Sequence, residues 1–178
     1  MKQQKGTKSF PSLFPMGNES QIGLIQSLVH EVIAADSAYF LVDIKIKPTN
    51  NVKVYLDGDS GITIEKCVQV NRSLYKKIEE AGIFPARDFS LEVSSPGLDE
   101  PLKLVRQYKK NIGRKVEIQL LDGSVKAGRL VEVSEDGIIL EESKGKSPSP
   151  KHGSKPKELV NHTILFNNIK TTKIQVVF

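Results

Sequence analysis

Apolar residues recur at three- and four-residue steps through Ile22, Ile25, Leu28/Val29, Val32 and Ile33, directly after Asn18-Glu19-Ser20. That spacing, opened by capping residues and an early acid, predicts an amphipathic helix that Asp36-Ser37 ends. Phe40, Val42, Ile44 and Ile46 then alternate with Leu41, Asp43, Lys45 and Lys47, the pattern of a strand with one buried face. Pro48-Thr49-Asn50-Asn51 turns the chain. Val52, Val54 and Leu56 alternate again, which predicts an antiparallel hairpin. After the break Asp57-Gly58-Asp59-Ser60-Gly61, Thr63 caps a second helix with apolar positions Ile64, Cys67/Val68, Leu74 and Ile78. Gly82 is its expected left-handed terminator. Phe89, Leu91 and Val93 form a third strand. The order helix, strand, strand, helix, strand predicts two helices packed on one face of a three-stranded sheet.

At Ser94-Ser95-Pro96-Gly97-Leu98 the alternation stops. Ser95 precedes proline and is pushed to extended geometry. Pro96 presets a turn, Gly97 can take a positive φ, and Leu98 and Leu102 can pin the corner to its flanks. The reading is a stiff joint that sets an angle between two modules. Residues 102–110 follow as a short basic helix ending at Gly113. Beyond it, 115–121, 125–133, 138–141, 159–166 and 169–177 read as short strands joined by tight turns, with a hairpin signal at Asp122-Gly123. Five such strands predict a small SH3- or Sm-like barrel.

The expected fold class is therefore α+β: an N-terminal two-helix, three-stranded α/β domain followed by an all-β SH3/Sm-like barrel. The expected divisions are 1–18, a disordered lead-in or vector-derived remnant; 19–95, the α/β domain; 96–102, the interdomain joint; and 103–178, the barrel. Residues 143–157 carry five lysines with no acid and no aliphatic side chain. Such a composition cannot form a core, so a mobile loop is expected, acting as a spacer or as an added electrostatic grip.

Charge changes this picture more than composition does. Residues 1–18 carry +3, residues 19–98 carry −3 and residues 99–178 carry +5, so a polyanion is drawn most strongly to the second half. No apolar run reaches the length of a membrane span, and the basic start has no continuous apolar stretch of secretory type. The single cysteine, Cys67, excludes an intramolecular disulfide and reads as a packing residue, with a cytoplasmic location as the default.

Catalytic signatures are missing from the sequence. There is no glycine-rich phosphate loop, no HExxH and no paired Cys/His spacing. Ser94 or Ser95 as a nucleophile needs a base and an orienting acid, and His30, His152 and His162 lie far apart. Asp57, Asp59 and Glu65 lack the ligand count of a calcium loop and read as a solvated turn, so no metal is expected. The basic run is more informative: Lys103, Arg106, Lys109, Lys110, Arg114 and Lys115 fall within thirteen residues without one acid. Arg106, Lys109 and Lys110 share one side of the short helix. Such a stripe can track phosphates, or it can be a solvated face.

LEVSSPGLDEPLK, with VYLDGDSGITIEKCVQVNRSL before it and RQYKKNIGRKVEIQL after it, resembles the RimP family of bacterial ribosome maturation factors from about residue 20 onward. The resemblance implies an α/β domain followed by an SH3/Sm-like barrel. It also implies a non-enzymatic, cofactor-free, monomeric assembly factor that binds the free small ribosomal subunit, with contacts to ribosomal RNA and, through the barrel, to small-subunit ribosomal protein twelve. Three features depart from the family pattern: Glu100 where many members carry a basic residue, the longer lysine-rich stretch 143–157, and the basic lead-in. Two other readings remain at this point. One is a stand-alone Sm-like module for small RNAs, with Phe166 and Phe178 as stacking candidates. The other is a hydrolase built on Ser94 or Ser95.

Overall fold

The structure, a computed structural model, describes residues 18–144 and 158–176. The expected lead-in up to Gly17, all but Ser143 and Lys144 of the expected lysine-rich loop, and Phe178 lie outside the described residues.

Helix α1 (Asn18–Ile33) is followed by strands β1 (Tyr39–Lys47) and β2 (Asn51–Gly58), helix α2 (Ile64–Glu80) and strand β3 (Ser90–Ser94). β1 and β2 pair antiparallel, as a tight turn at Pro48–Asn50 dictates. β2 and β3 pair parallel, because α2 carries the chain back across the sheet before β3 begins. α1 places Ile25, Val29 and Ile33 in the core, and α2 places Val70, Leu74 and Ile78 there against Ile44, Val52, Val54 and Leu56. Both helices thus cover one face of the sheet.

The Thr63 side chain accepts from the Lys66 backbone N–H at 3.2 Å, satisfying one donor that the first turn of α2 leaves open. Gly82 ends this segment with φ +63°, a conformation that side-chain-bearing residues rarely adopt. Thr63→Ala is expected to lower the stability of the N-terminal half by about 1 kcal/mol, read from urea denaturation. One expectation fails on α2. Ile64 is 80% exposed and Val68 is 44% exposed, while Val70 takes the buried position. The core row runs Cys67, Val70, Leu74 and Ile78, which leaves Ile64, in the first turn, and Val68 rotated away from it.

Beyond the joint, helix α3 (Val105–Lys110) leads into β4 (Lys115–Leu120), β5 (Val125–Val133), β6 (Gly137–Lys144), β7 (Glu158–Leu165) and β8 (Ile169–Ile174). These strands form one antiparallel sheet in the order β7-β6-β5-β4-β8. A 3-10 turn at Phe166–Asn168 joins the two edge strands. They share no ladder, so the five strands of the expected barrel wrap a core without closing. Register shifts after Leu130 and Gln119 bend the sheet. At Gly128 a side chain is impossible without rearrangement, since a Cβ there would run into the Glu141 carbonyl oxygen. Val116, Ile118, Leu130, Ile138, Leu140 and Ile164 fill the core with Tyr108 of α3. The Tyr108 ring meets Phe166 edge-on at 5.1 Å.

β6 extends further than its apolar run. Ser143 and Lys144 pair with Leu159 and Glu158, so the expected loop loses its first two residues to the ladder. The two cores share no residue. The chain is an α+β protein of two separately cored halves.

Candidate polyanion-binding surface

α3 is only six residues long and sits between the halves. Its start is fixed by Gln107, whose buried side-chain oxygen accepts from the backbone N–H of Lys103 at 2.8 Å and of Leu104 at 3.0 Å. Tyr108 anchors the opposite side in the second core. With those two residues turned inward, Arg106, Lys109 and Lys110 must point away from the second sheet.

Three of the six predicted cations meet carboxylates of the first half. Lys103 Nζ donates to Asp43 at 2.5 Å, and Lys110 Nζ donates to Asp57 at 2.5 Å. Arg106 forms a fork with Asp59, Nε and Nη2 each at 2.6 Å, and Nη2 also donates to the Ser37 carbonyl at 2.6 Å. Bidentate guanidinium–carboxylate pairing of this kind fixes orientation as well as charge. The same guanidinium lies 4.6 Å above the centre of the Phe40 ring. Phe40 is buried yet belongs to neither core, and the Arg106 guanidinium lies over its ring.

Of the expected solvated turn, Asp59 and Glu65 are exposed, Asp59 while pairing with Arg106, and Asp57 alone is buried. Asp57 is 6% exposed, and its carboxylate also accepts from the Gly58 N–H at 2.8 Å. Hydrogen bonding to Arg106 holds the Asp59 carboxyl below its usual range and raises the guanidinium in turn. A lowered carboxyl pKa gives stability that is complete above the unfolded value and disappears only as pH falls through the folded one. The Asp59–Arg106 contact thus persists at neutral and mildly acidic pH.

Lys109, Arg114 and Lys115 make no ion pair among the described residues, and each keeps its charged end open to solvent. Lys109 lines an open cleft of about 690 Å³ with Asp59, Val105, Arg106, Lys110 and Glu135. Arg114 and Lys115 lie at the entry to β4. The predicted stripe is thus divided: Lys103, Arg106 and Lys110 hold the two halves together, and Lys109, Arg114 and Lys115 face solvent.

The joint differs from expectation in two details. Gly97 is not among the positive-φ glycines, and Leu98 is 54% exposed and pins nothing. The corner instead closes through the Glu100 N–H on the Gly97 carbonyl at 3.0 Å. Leu102 docks on the second half, with its N–H on the Thr172 carbonyl at 2.8 Å. Pro96 and Pro101 share a crevice with Val42 and Tyr55 of the first sheet. Glu100 faces Lys45 at 4.0 Å, an exposed contact between the joint and the first half. Ser94 is the last residue of β3 and pairs with Tyr55, while Ser95 borders a cavity of about 230 Å³ with Pro96, Gly97, Lys110, Asn111 and Arg114. His162 pairs with Glu142 at 2.8 Å on β7 and β6, and His30 is exposed on α1. Neither reaches the serines. Phe166, the described stacking candidate, is committed to Tyr108.

The sequence pattern did not reveal Asp43, Asp57 and Asp59 as partners of the cations. The one signal pointing that way was the opposite net charge of the two halves.

Residues 28–99 match the family model described as the RimP N-terminal domain. The "Ribosome maturation factor RimP" of Flavobacterium psychrophilum is 36% identical over 156 residues, covering 86% of this chain and 96% of that protein. The protein of the same name from Christiangramia forsetii is 31% identical over 86% of this chain and 97% of its own length. That of Cytophaga hutchinsonii is 40% identical over 65% of this chain and 71% of its own length. Similarity at this level across both cores, and through the joint between them, makes this chain a member of the RimP family.

Proposed function

We propose that this chain is a non-catalytic ribosome maturation factor. It binds the free small ribosomal subunit, holds ribosomal RNA and small-subunit ribosomal protein twelve in a productive arrangement, and leaves without covalent chemistry. The observation that carries the reading is the near full-length similarity to proteins named ribosome maturation factor. The solvent-facing cations Lys109, Arg114 and Lys115 support it, because phosphate contacts require accessible positive charge. The edge strands β7 and β8 support a protein contact, since neither has a further strand paired on its outer side among the described residues, although Leu102 already takes the Thr172 carbonyl of β8. In this reading the functional units are 19–95, the joint 96–102 and 103–178, and the factor works as a cytoplasmic monomer. No helix among the described residues is long and apolar enough to cross a membrane.

The test is gradient cosedimentation with cell lysate. The protein should travel with free small subunits and be absent from complete ribosomes. Lys109→Glu, Arg114→Glu and Lys115→Glu together should abolish that comigration at moderate salt and leave the fold intact. They should also flatten the salt dependence by about one unit of logarithmic slope for each phosphate no longer engaged. Unchanged comigration at low and moderate salt would remove these residues from the interface. Arg106 and Lys110 are unsuitable for this test, because reversing their charge also breaks the seam between the halves.

A further inference from the structure

Most of what joins the two halves across α3 is ionic, with one hydrogen bond from Arg106 to the Ser37 carbonyl and one ring beneath the guanidinium. Lys103–Asp43, Arg106–Asp59 and Lys110–Asp57 cross the seam, Lys45–Glu100 is an exposed contact at the joint, and Phe40 lies beneath Arg106. Among the described residues, no buried aliphatic side chain belongs to both cores. Interfaces between domains move by default unless they are large and apolar, and no buried core residue spans this one. Its outer pairs are well hydrated: the Arg106 and Asp59 side chains are 39% and 53% exposed, those of Lys103 and Asp43 41% and 27%. Pairs so exposed contribute little and weaken with salt.

The cations of the seam also have the chemistry of a phosphate-binding face. An arginine fork and two lysines on or beside one helix, each facing one carboxylate, match what a run of phosphates offers. Asp43, Asp57 and Asp59 are the carboxylates that a phosphate would have to displace to reach these cations. Lys109, exposed on the same helix, lines the cleft beside Arg106 and Lys110, together with Asp59 and Glu135.

We propose that the three aspartates form a latch that masks half of the cationic face of α3, and that a polyanion opens the halves by taking Lys103, Arg106 and Lys110 from them. This rests on the reading of α3 as a phosphate-facing element. It adds that the closed form is a low-affinity state. The full cationic face then becomes available only on an anion strong enough to displace the carboxylates, which gives discrimination against weak, scattered charge. Asp57 is the most buried of the three and is the last to release.

The test uses the full chain, a short duplex RNA as probe, and Asp43→Asn with Asp59→Asn. Both residues lie on the rim of the seam, so the variant is expected to fold, and thermal denaturation verifies this. Glu19→Gln with Glu65→Gln removes the same charge from exposed positions on α1 and at the start of α2 and serves as the control. The latch variant should bind the RNA about three- to tenfold more tightly than wild type. Its salt slope should be steeper by about one unit for each cation released. The control should stay within about twofold of wild type. Small-angle scattering should show the wild type expanding on RNA addition and on raising salt to about 0.5 M, where exposed pairs are screened. Equal tightening in latch variant and control would overturn the proposal, and so would a molecular dimension that salt and the variant both leave unchanged. Absence of small-subunit binding by wild type would instead refute the maturation reading, and the scattering arm would still decide the latch.

Discussion

Leu130→Ala is expected to destabilise the second sheet by about 2–5 kcal/mol while leaving the first half folded. Leu130 is fully buried on β5 and packs among Val116, Ile118, Ile138 and Leu140. Its N–H donates to the Arg114 carbonyl at 2.9 Å, and its carbonyl accepts from the Gly113 N–H at 2.7 Å. It therefore sits where the entry to β4, the bulge of β5 and the core converge, and the cavity left by alanine has little freedom to collapse. The second core has seven buried members among the described residues, so one deletion removes a sizeable part of it. Native-state hydrogen exchange reads the result: amides of β4, β5 and β6 should lose protection, and those of Val52, Val54 and Leu74 should keep theirs. Leu74→Ala should produce the reverse pattern. If either variant stripped protection from both halves together, the ionic seam would be coupling them into one cooperative unit, against the separation of their cores.

The confinement of that effect reflects which parts of the molecule a linear pattern can encode. Period-two and period-3.6 alternation report burial against near neighbours, which is why α1, β2 and the strands of the second sheet stand close to where their apolar residues place them. On β1 the register shift between Leu41 and Asp43 turns Leu41 to the first core and leaves the expected Phe40 and Val42 out of it. The caps were equally legible, because Thr63 and Gly82 act on backbone groups within a few residues. Ile64 and Val68 misled because an apolar residue at helical spacing says nothing about where the neighbouring element ends. The basic run of α3 was visible, but its partners lie 60, 47 and 53 residues away at Asp43, Asp59 and Asp57. An isolated cation reads alike whether it meets solvent, phosphate or a distant carboxylate. Only the fold brings Asp43 of β1 and the end of β2 up to α3 and so divides the stripe. The open ladder between β7 and β8 was hidden for the same reason, since pairing across the ends of a sheet depends on how it bends.

Lys110→Met should cost about 2 kcal/mol, more than half of it recovered when Asp57→Asn is added. Among the α3 pairs this is the one with a buried carboxylate: the Asp57 side chain is 8% exposed, and Lys110 is 24% exposed. Removing the ammonium leaves Asp57 with the Gly58 N–H as its remaining donor. Complete orphaning of a buried charge costs about 3–5 kcal/mol, and the cavity bounded by Asp57, Ser95 and Arg114 admits solvent that offsets part of it. Asparagine keeps the acceptor for Gly58 and removes the charge, which is why the double variant should recover. Urea denaturation of wild type, both single variants and the double variant gives the coupling directly. A cost below about 0.5 kcal/mol for Lys110→Met would mean that the seam opens readily enough to hydrate Asp57 outside its ion pair. In that case α3 is held by Tyr108 and Gln107 from its own half, and the carboxylates across the seam set its direction without anchoring it.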